Sequence, residues 1–257
     1  MFSVRGRPVS PLYFKEVYIL GIISSPGNIE MAGTAFSITR RHVITAHHNI
    51  FDEEKQSDFD SFAITREVKK VASDFVFESP LFMKLVSKDP SADWAILELM
   101  PQHPNFLSCF PLCSRDQLPD PDRSSSQSKA IFAPIGSFRQ SSLRSMHVWA
   151  EEFSKIFQYD ENNVIVDGGL YRGSCGAPYI TPEGLVIGMH LASMHEAKNM
   201  SLTKKKRNRA SMEDGKGIVD VAESLTDLAE VHASTKVGLV LCMITEITEF
   251  IRKYNLP

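Results

Sequence analysis

The sequence has little cysteine and no long apolar run, and both scarcities narrow what the chain can be. Only Cys109, Cys113, Cys175 and Cys242 occur in 257 residues. Their spacing makes no framework of pairs, which argues against a disulfide scaffold and for free thiols in a reducing, intracellular compartment. The first apolar stretch, in MFSVRGRPVSPLYFKEVYILGII, comes late, is short and is broken by Lys15 and Glu16. It predicts neither a signal peptide nor a spanning helix, so a cytoplasmic or otherwise intracellular location and no membrane partner are expected. One-signed charge is also lacking: the formal net charge is -3 with 23% charged residues. No nucleic-acid partner is therefore expected.

What the chain does contain is apolar residue, 43% of the total, gathered in short runs. Val, Ile, Phe and Tyr cluster between Gly, Pro, Asp and Ser, which reads as strands rather than helices. Strands are predicted at 17–24, 33–38, 42–46, 61–66, 73–78, 82–87 and 94–99. Together they suffice for one barrel of six or seven strands, so residues 1–113 form a first domain. The stretch 114–128, SRDQLPDPDRSSSQS, is polar and aperiodic and reads as an exposed linker. Beyond it, in 129–257, KAIFAPI, MHVWAEEF, NVIVDGG, APYIT and LVIGMHLAS supply a second set of strands.

The end of the chain is less regular. A long insertion at 196–234 carries the basic run Lys204–Arg209, most simply a solvated loop, with a nuclear-localisation signal as the alternative. It also holds 218–232, whose apolar spacing is closer to helical. KVGLVLCMI then reads as a buried strand, and 245–255 as a short terminal helix opened by Thr245 and Glu246.

Nucleophilic acyl transfer needs a nucleophile, a base within hydrogen-bond reach and a group that orients the base. One candidate for each is present. His48 ends Thr45-Ala46-His47-His48 behind the strand Gly33-Thr34-Ala35-Phe36, and an imidazole with a pKa of about 6.5 accepts and returns a proton near neutrality. Asp93 opens Asp93-Trp94-Ala95-Ile96-Leu97, and Cys175 lies in Gly168-Gly169-Leu170-Tyr171-Arg172-Gly173-Ser174-Cys175-Gly176-Ala177-Pro178. Singly, each also has a plain structural reading: a strand-end histidine, a turn aspartate, a buried cysteine. Metal binding is not expected: His47 and His48 are adjacent and point apart, and Cys109 and Cys113 flank Pro111 without a second ligand pair.

Taken in order, the three segments resemble those of the chymotrypsin-like family: a GT-F strand leading to T-A-A-H, a D-x-A-[IL]-L strand, and a G-x-[SC]-G-x-P turn. The resemblance implies an all-β fold of two packed six-stranded antiparallel barrels and peptide-bond hydrolysis without a cofactor. It implies His48 as base, Asp93 as orienter, Cys175 as nucleophile, and the Gly173 and Cys175 amides as the oxyanion hole. Protein or peptide is the implied substrate. Two alternatives remain: Ser174 as nucleophile, which would put Cys175 where the turn calls for glycine, and an inactive binding module.

The run GSCGAPYITPEGLVIGMHLAS is similar to the viral cysteine proteases of picornaviruses and caliciviruses, closely over about twenty residues and loosely over roughly 20–195. That likeness implies that His190, with Leu170 and Ala192, lines the pocket for the residue before the cut and favours Gln or Glu there. Leu170 stands where the viral family often has threonine.

Overall fold

The computed structural model of the chain describes residues 7–8, 14–25, 27–103, 107–112, 128–153, 156–159, 163–167, 173–181, 183–193, 237–242, 250 and 252–253. Outside these lie Cys113, the linker as far as Gln127, Leu170, the insertion 196–234 with Lys204–Arg209, and most of the expected terminal helix. Of that helix, Phe250, Arg252 and Lys253 are described and helical.

After β1 (Arg7–Pro8), the first half runs through β2 (Val17–Ser25), β3 (Asn28–Ser37), β4 (His42–Ala46), β5 (Phe51–Asp52), β6 (Ser57–Asp58), β7 (Phe62–Thr65), β8 (Val68–Val71), β9 (Asp74–Phe77), β10 (Leu81–Asp89) and β11 (Trp94–Leu99). Six of these close a barrel in the order β10-β11-β4-β3-β2-β7. The run 73–78 was expected in that barrel. Instead β9 pairs with β8, which the sequence pattern hides because Lys69 and Lys70 interrupt its apolar residues.

The second half comprises β12 (Ser128–Phe132), α1 (Ile135–Gln140), β13 (Ser145–Met146), β14 (Trp149–Phe153), β15 (Ile156–Tyr159), β16 (Asn163–Asp167), β17 (Pro178–Ile180), β18 (Val186–Ser193) and β19 (Val237–Cys242). Its sheet has eight strands in the order β1-β14-β12-β17-β18-β19-β16-β15. Strands β14 and β15 are near neighbours in the chain, yet one pairs with β12 and the other with β16, towards opposite ends of that order. The sheet must therefore curl round on itself. The expected strand through Ile135 stops at Phe132, because Pro134 lacks the N–H a ladder requires, and α1 follows it.

The all-β architecture with almost no helix is the one expected. Strand alternation explains why its apolar runs are continuous rather than alternating. On β2, Tyr18 and Leu20 join a cluster with Ala35, Val43, Phe62, Ile64, Leu97 and Leu99, all from barrel strands. Val17 and Ile19 point the other way, into a cluster with Phe36, Ile44, Ile96 and, from the second half, Ile131, Ala133, Val186 and Met189. One face of these strands fills the barrel; the other packs against the second half. The small sheet β13-β8-β9 adds a backbone link between the halves, with Met146 opposite Val68.

Each face should matter separately. Leu97→Ala, inside the barrel, and Ile44→Ala, between the halves, each remove a fully buried side chain. Each should cost about 2–5 kcal/mol, read as a lowered urea midpoint.

Candidate active site

The last pair in the β4–β11 ladder sets Ala46 opposite Trp94. The residues just beyond it, His48 in the single turn His47–Asn49 and Asp93 before β11, are thereby brought face to face. The carboxylate of Asp93 accepts from His48 Nδ1 at 2.7 Å through Oδ2 and from the His48 backbone N–H at 2.9 Å through Oδ1. Its carbonyl accepts from the His47 N–H at 3.1 Å. Asp93 has φ +58°, in the left-handed region that aspartate tolerates better than most residues. It is thus a turn residue and a histidine partner at once.

Cys175 sits in a turn that only glycine permits on either side. Gly173 has φ +101° and Gly176 φ +89°; a Cβ on Gly176 would lie 2.0 Å from the Thr34 carbonyl oxygen. First-half side chains grip this turn. Thr34 donates from its N–H to the Cys175 carbonyl at 3.0 Å and from its hydroxyl to the Gly173 carbonyl at 2.7 Å. The same hydroxyl accepts from the Ala133 N–H at 2.8 Å. Asn49 Nδ2 also donates to the Cys175 carbonyl, at 2.8 Å, and Thr45 Oγ1 donates to the Thr34 carbonyl at 2.7 Å.

His48 is hydrogen-bonded to the Cys175 side chain as well as to Asp93. Burial works to lower the pKa of its imidazole, but the Asp93 carboxylate and the Cys175 sulfur outweigh this and hold it well above the ordinary histidine value. His48, Asp93 and Cys175 therefore form one contiguous set. Ser174, next to it, is fully buried, and its Oγ has no hydrogen-bond partner among the described residues. Cys175 keeps 8% exposure.

His190 on β18 is also fully buried, its ring stacked on Tyr179 with centroids 5.9 Å apart and Nδ1 3.3 Å from the tyrosine hydroxyl. Its Nε2 has no partner among the described residues. Burial, reinforced by repulsion from His48, drives its pKa down to about 3. The His190 carbonyl accepts from the Gly176 N–H at 2.8 Å, which ties this strand to the Cys175 turn. Ala192 is placed by its backbone, opposite Leu239.

His47 takes no part in the set. Its Nε2 meets Asp58 Oδ1 at 2.8 Å, and Asp58 is also paired with Lys88. Cys109 is exposed and unpaired. Among the described residues no cluster of three or more potential ligands could hold a metal ion. Sequence reasoning used Thr34 and Thr45 only as motif letters and passed over Asn49. No signal in the sequence marks Asn49: the crowding at Gly33, where a Cβ would lie 2.4 Å from Asn49 Nδ2, appears only in the fold.

No family model matches the sequence, and no curated protein matches it. Solved structures do match in fold. A Glu endopeptidase in complex with MPD aligns over 99% of this chain and 98% of its own, with 10% identity and a TM-score of 0.58. The Rv3671c protease, in an inactive form, aligns over 96% of this chain and 92% of its own, with 14% identity and a TM-score of 0.51. The chain shares their chymotrypsin-like fold.

The buried His190 gives a pH signature. Because its folded pKa is depressed, the unfolded chain binds more protons as pH falls, so its contribution to stability is lost between about pH 6.5 and about 3. His190→Phe should flatten that part of the stability profile, measured by urea denaturation at stepped pH; an unchanged slope would contradict the assignment.

Proposed function

We propose that the protein is a cysteine endopeptidase with Cys175 as nucleophile, His48 as base and Asp93 as the group that orients the base. The observation that carries this reading is that His48 bonds to Asp93 on one side and to Cys175 on the other. The two protease neighbours support peptide-bond hydrolysis as the reaction class. Against Ser174 as nucleophile stand its burial and its lack of a base partner among the described residues.

The chemistry follows from these contacts. His48 takes the Cys175 proton, and the resulting thiolate adds to the scissile carbonyl carbon. The carbonyl oxygen becomes an oxyanion, held by the backbone N–H groups of Gly173 and Cys175, and the positive φ of Gly173 suits that role. Collapse breaks the C–N bond as His48 returns the proton to the leaving amine. Water, deprotonated by His48, then adds to the thioester carbon; the C–S bond breaks, the Cys175 sulfur takes the proton back from His48, and the acid product leaves.

His190 is the candidate specificity residue. A pKa of about 3 keeps its imidazole neutral at physiological pH. With the Tyr179 hydroxyl donating to Nδ1, the proton stays on Nε2, free to donate to a side-chain carbonyl before the cut. This favours Gln. A Glu carboxylate could accept from the same N–H, but the neutral ring would leave its charge buried and uncompensated, which disfavours Glu relative to Gln.

Three measurements test the proposal. Iodoacetamide should label Cys175 fastest of the four thiols in wild type and slowly in His48→Ala; equal labelling of all four would sink it. With fluorogenic peptide libraries, Ser174→Ala should keep turnover and Cys175→Ser lose at least about a hundredfold, and Gln should lead before the cut. On pH, leaving-group protonation needs imidazolium. The alkaline limb of kcat/KM should therefore lie above the ordinary histidine range, and Asp93→Asn should move it to lower pH by removing the larger of the partners that raise His48.

A further inference from the structure

The turn His47–Asn49 addresses Cys175 twice. His48 reaches its side chain, and Asn49, the next residue, donates from Nδ2 to its carbonyl at 2.8 Å. Asn49 is 8% exposed, and the same amide nitrogen donates to Thr45 Oγ1 at 3.0 Å, so its direction is fixed from the barrel side. The carbonyl it binds belongs to the Cys175–Gly176 peptide. The N–H of that peptide donates to the His190 carbonyl at 2.8 Å. The peptide is pinned by the first half at its oxygen and by β18 at its nitrogen.

From this geometry we infer that Asn49 is a positioning residue: it sets the Cys175 backbone in register with His48, so that the thiolate and the oxyanion-binding N–H groups converge on one carbonyl. The inference rests on the reading of Cys175 as nucleophile. A hydrogen bond from His48 to the sulfur alone leaves the Cys175 backbone free to rotate about the side-chain torsion. The Thr34 N–H and the Asn49 amide remove that freedom together, and Asn49 ties the carbonyl to the imidazole because both are carried by the same short turn. Gly33 belongs to the device, since any Cβ there would strike the Asn49 amide at 2.4–2.8 Å from its three terminal atoms.

A reaction that needs only the thiolate separates this role from general support. Alkylation by iodoacetamide forms no oxyanion, whereas peptide hydrolysis does. Asn49→Ala should lower kcat about 10- to 100-fold, as sub-ångström to ångström misplacement does. KM and the alkylation rate constant of Cys175 should stay within about threefold. Gly33→Ala should produce the same split by displacing the amide. In Gly33→Ala/Asn49→Ala the clash partner is gone, so kcat should be no lower than in Asn49→Ala alone. Unchanged kcat in Asn49→Ala, a parallel fall of hydrolysis and alkylation, or additive loss in the double variant would overturn the inference.

If wild type neither hydrolyses peptides nor shows His48-dependent alkylation of Cys175, it is the enzyme reading that fails. The clamp is then decided by amide hydrogen exchange. Faster exchange at Gly176 and Thr34 in Asn49→Ala, by about tenfold or more, with Ile19 and Ile64 unchanged, supports it; no change at Gly176 and Thr34 rejects it.

Discussion

The peptide joining Cys175 to Gly176 is the element through which the two halves meet at the site. Its oxygen accepts from Thr34 and Asn49 of the first half, and its N–H donates to His190 of the second. A peptide bonded at both ends cannot rotate without breaking contacts on both sides. The glycines around it are forced by the same crowding: Gly176 must be left-handed and bare because Thr34 lies against it, and Gly173 because Ala133 and Ile135 do. The apolar packing between the halves supplies the area, while this polar seam supplies the register.

Two histidines on opposite sides of the seam show how partners, rather than burial alone, decide charge. His48 has a carboxylate at 2.7 Å and a sulfur on its other edge, and both favour the imidazolium enough to overcome desolvation. His190 has a tyrosine hydroxyl and, among the described residues, no carboxylate; burial, and then the positive charge of His48, set the cost of protonating it. An imidazolium at His48 thus helps keep His190 neutral. The two rings thus lie in environments that push their protonation apart: His48 towards the imidazolium and His190 towards the neutral form.

Much of this was legible in the residues, and the parts that were not share a cause. Barrel strands such as His42–Ala46 and Trp94–Leu99 stand where their apolar runs placed them, because a strand buried on both faces is a local signal. Strand β8 was invisible: Val68 and Val71 bracket two lysines, and only its pairing with β9 and β13 makes it a strand. Helix α1 was masked by the apolar letters of IFAPI, although Pro134 marked the break. At the site, His48, Asp93 and Cys175 stood out because each type carries recognisable chemistry in a recognisable segment. Asn49 did not, since an amide beside a histidine announces nothing until the contact 126 residues away is known.

That long-range contact carries a consequence for how such a site can be altered. The backbone of Cys175 is oriented chiefly by Thr34 and Asn49, and its thiol by His48, all from the first half. Neither half alone holds a complete site, because the second half without the first has a turn whose carbonyls at Gly173 and Cys175 have lost these donors. Substitutions at Thr34 or Gly33 therefore act on Cys175 although neither residue touches its sulfur in the contacts described. The halves are coupled through hydrogen bonds of ordinary length, each worth about 1 kcal/mol in net stability. What they fix beyond that figure is direction, since each sets the orientation of a backbone group at Cys175 or Gly173.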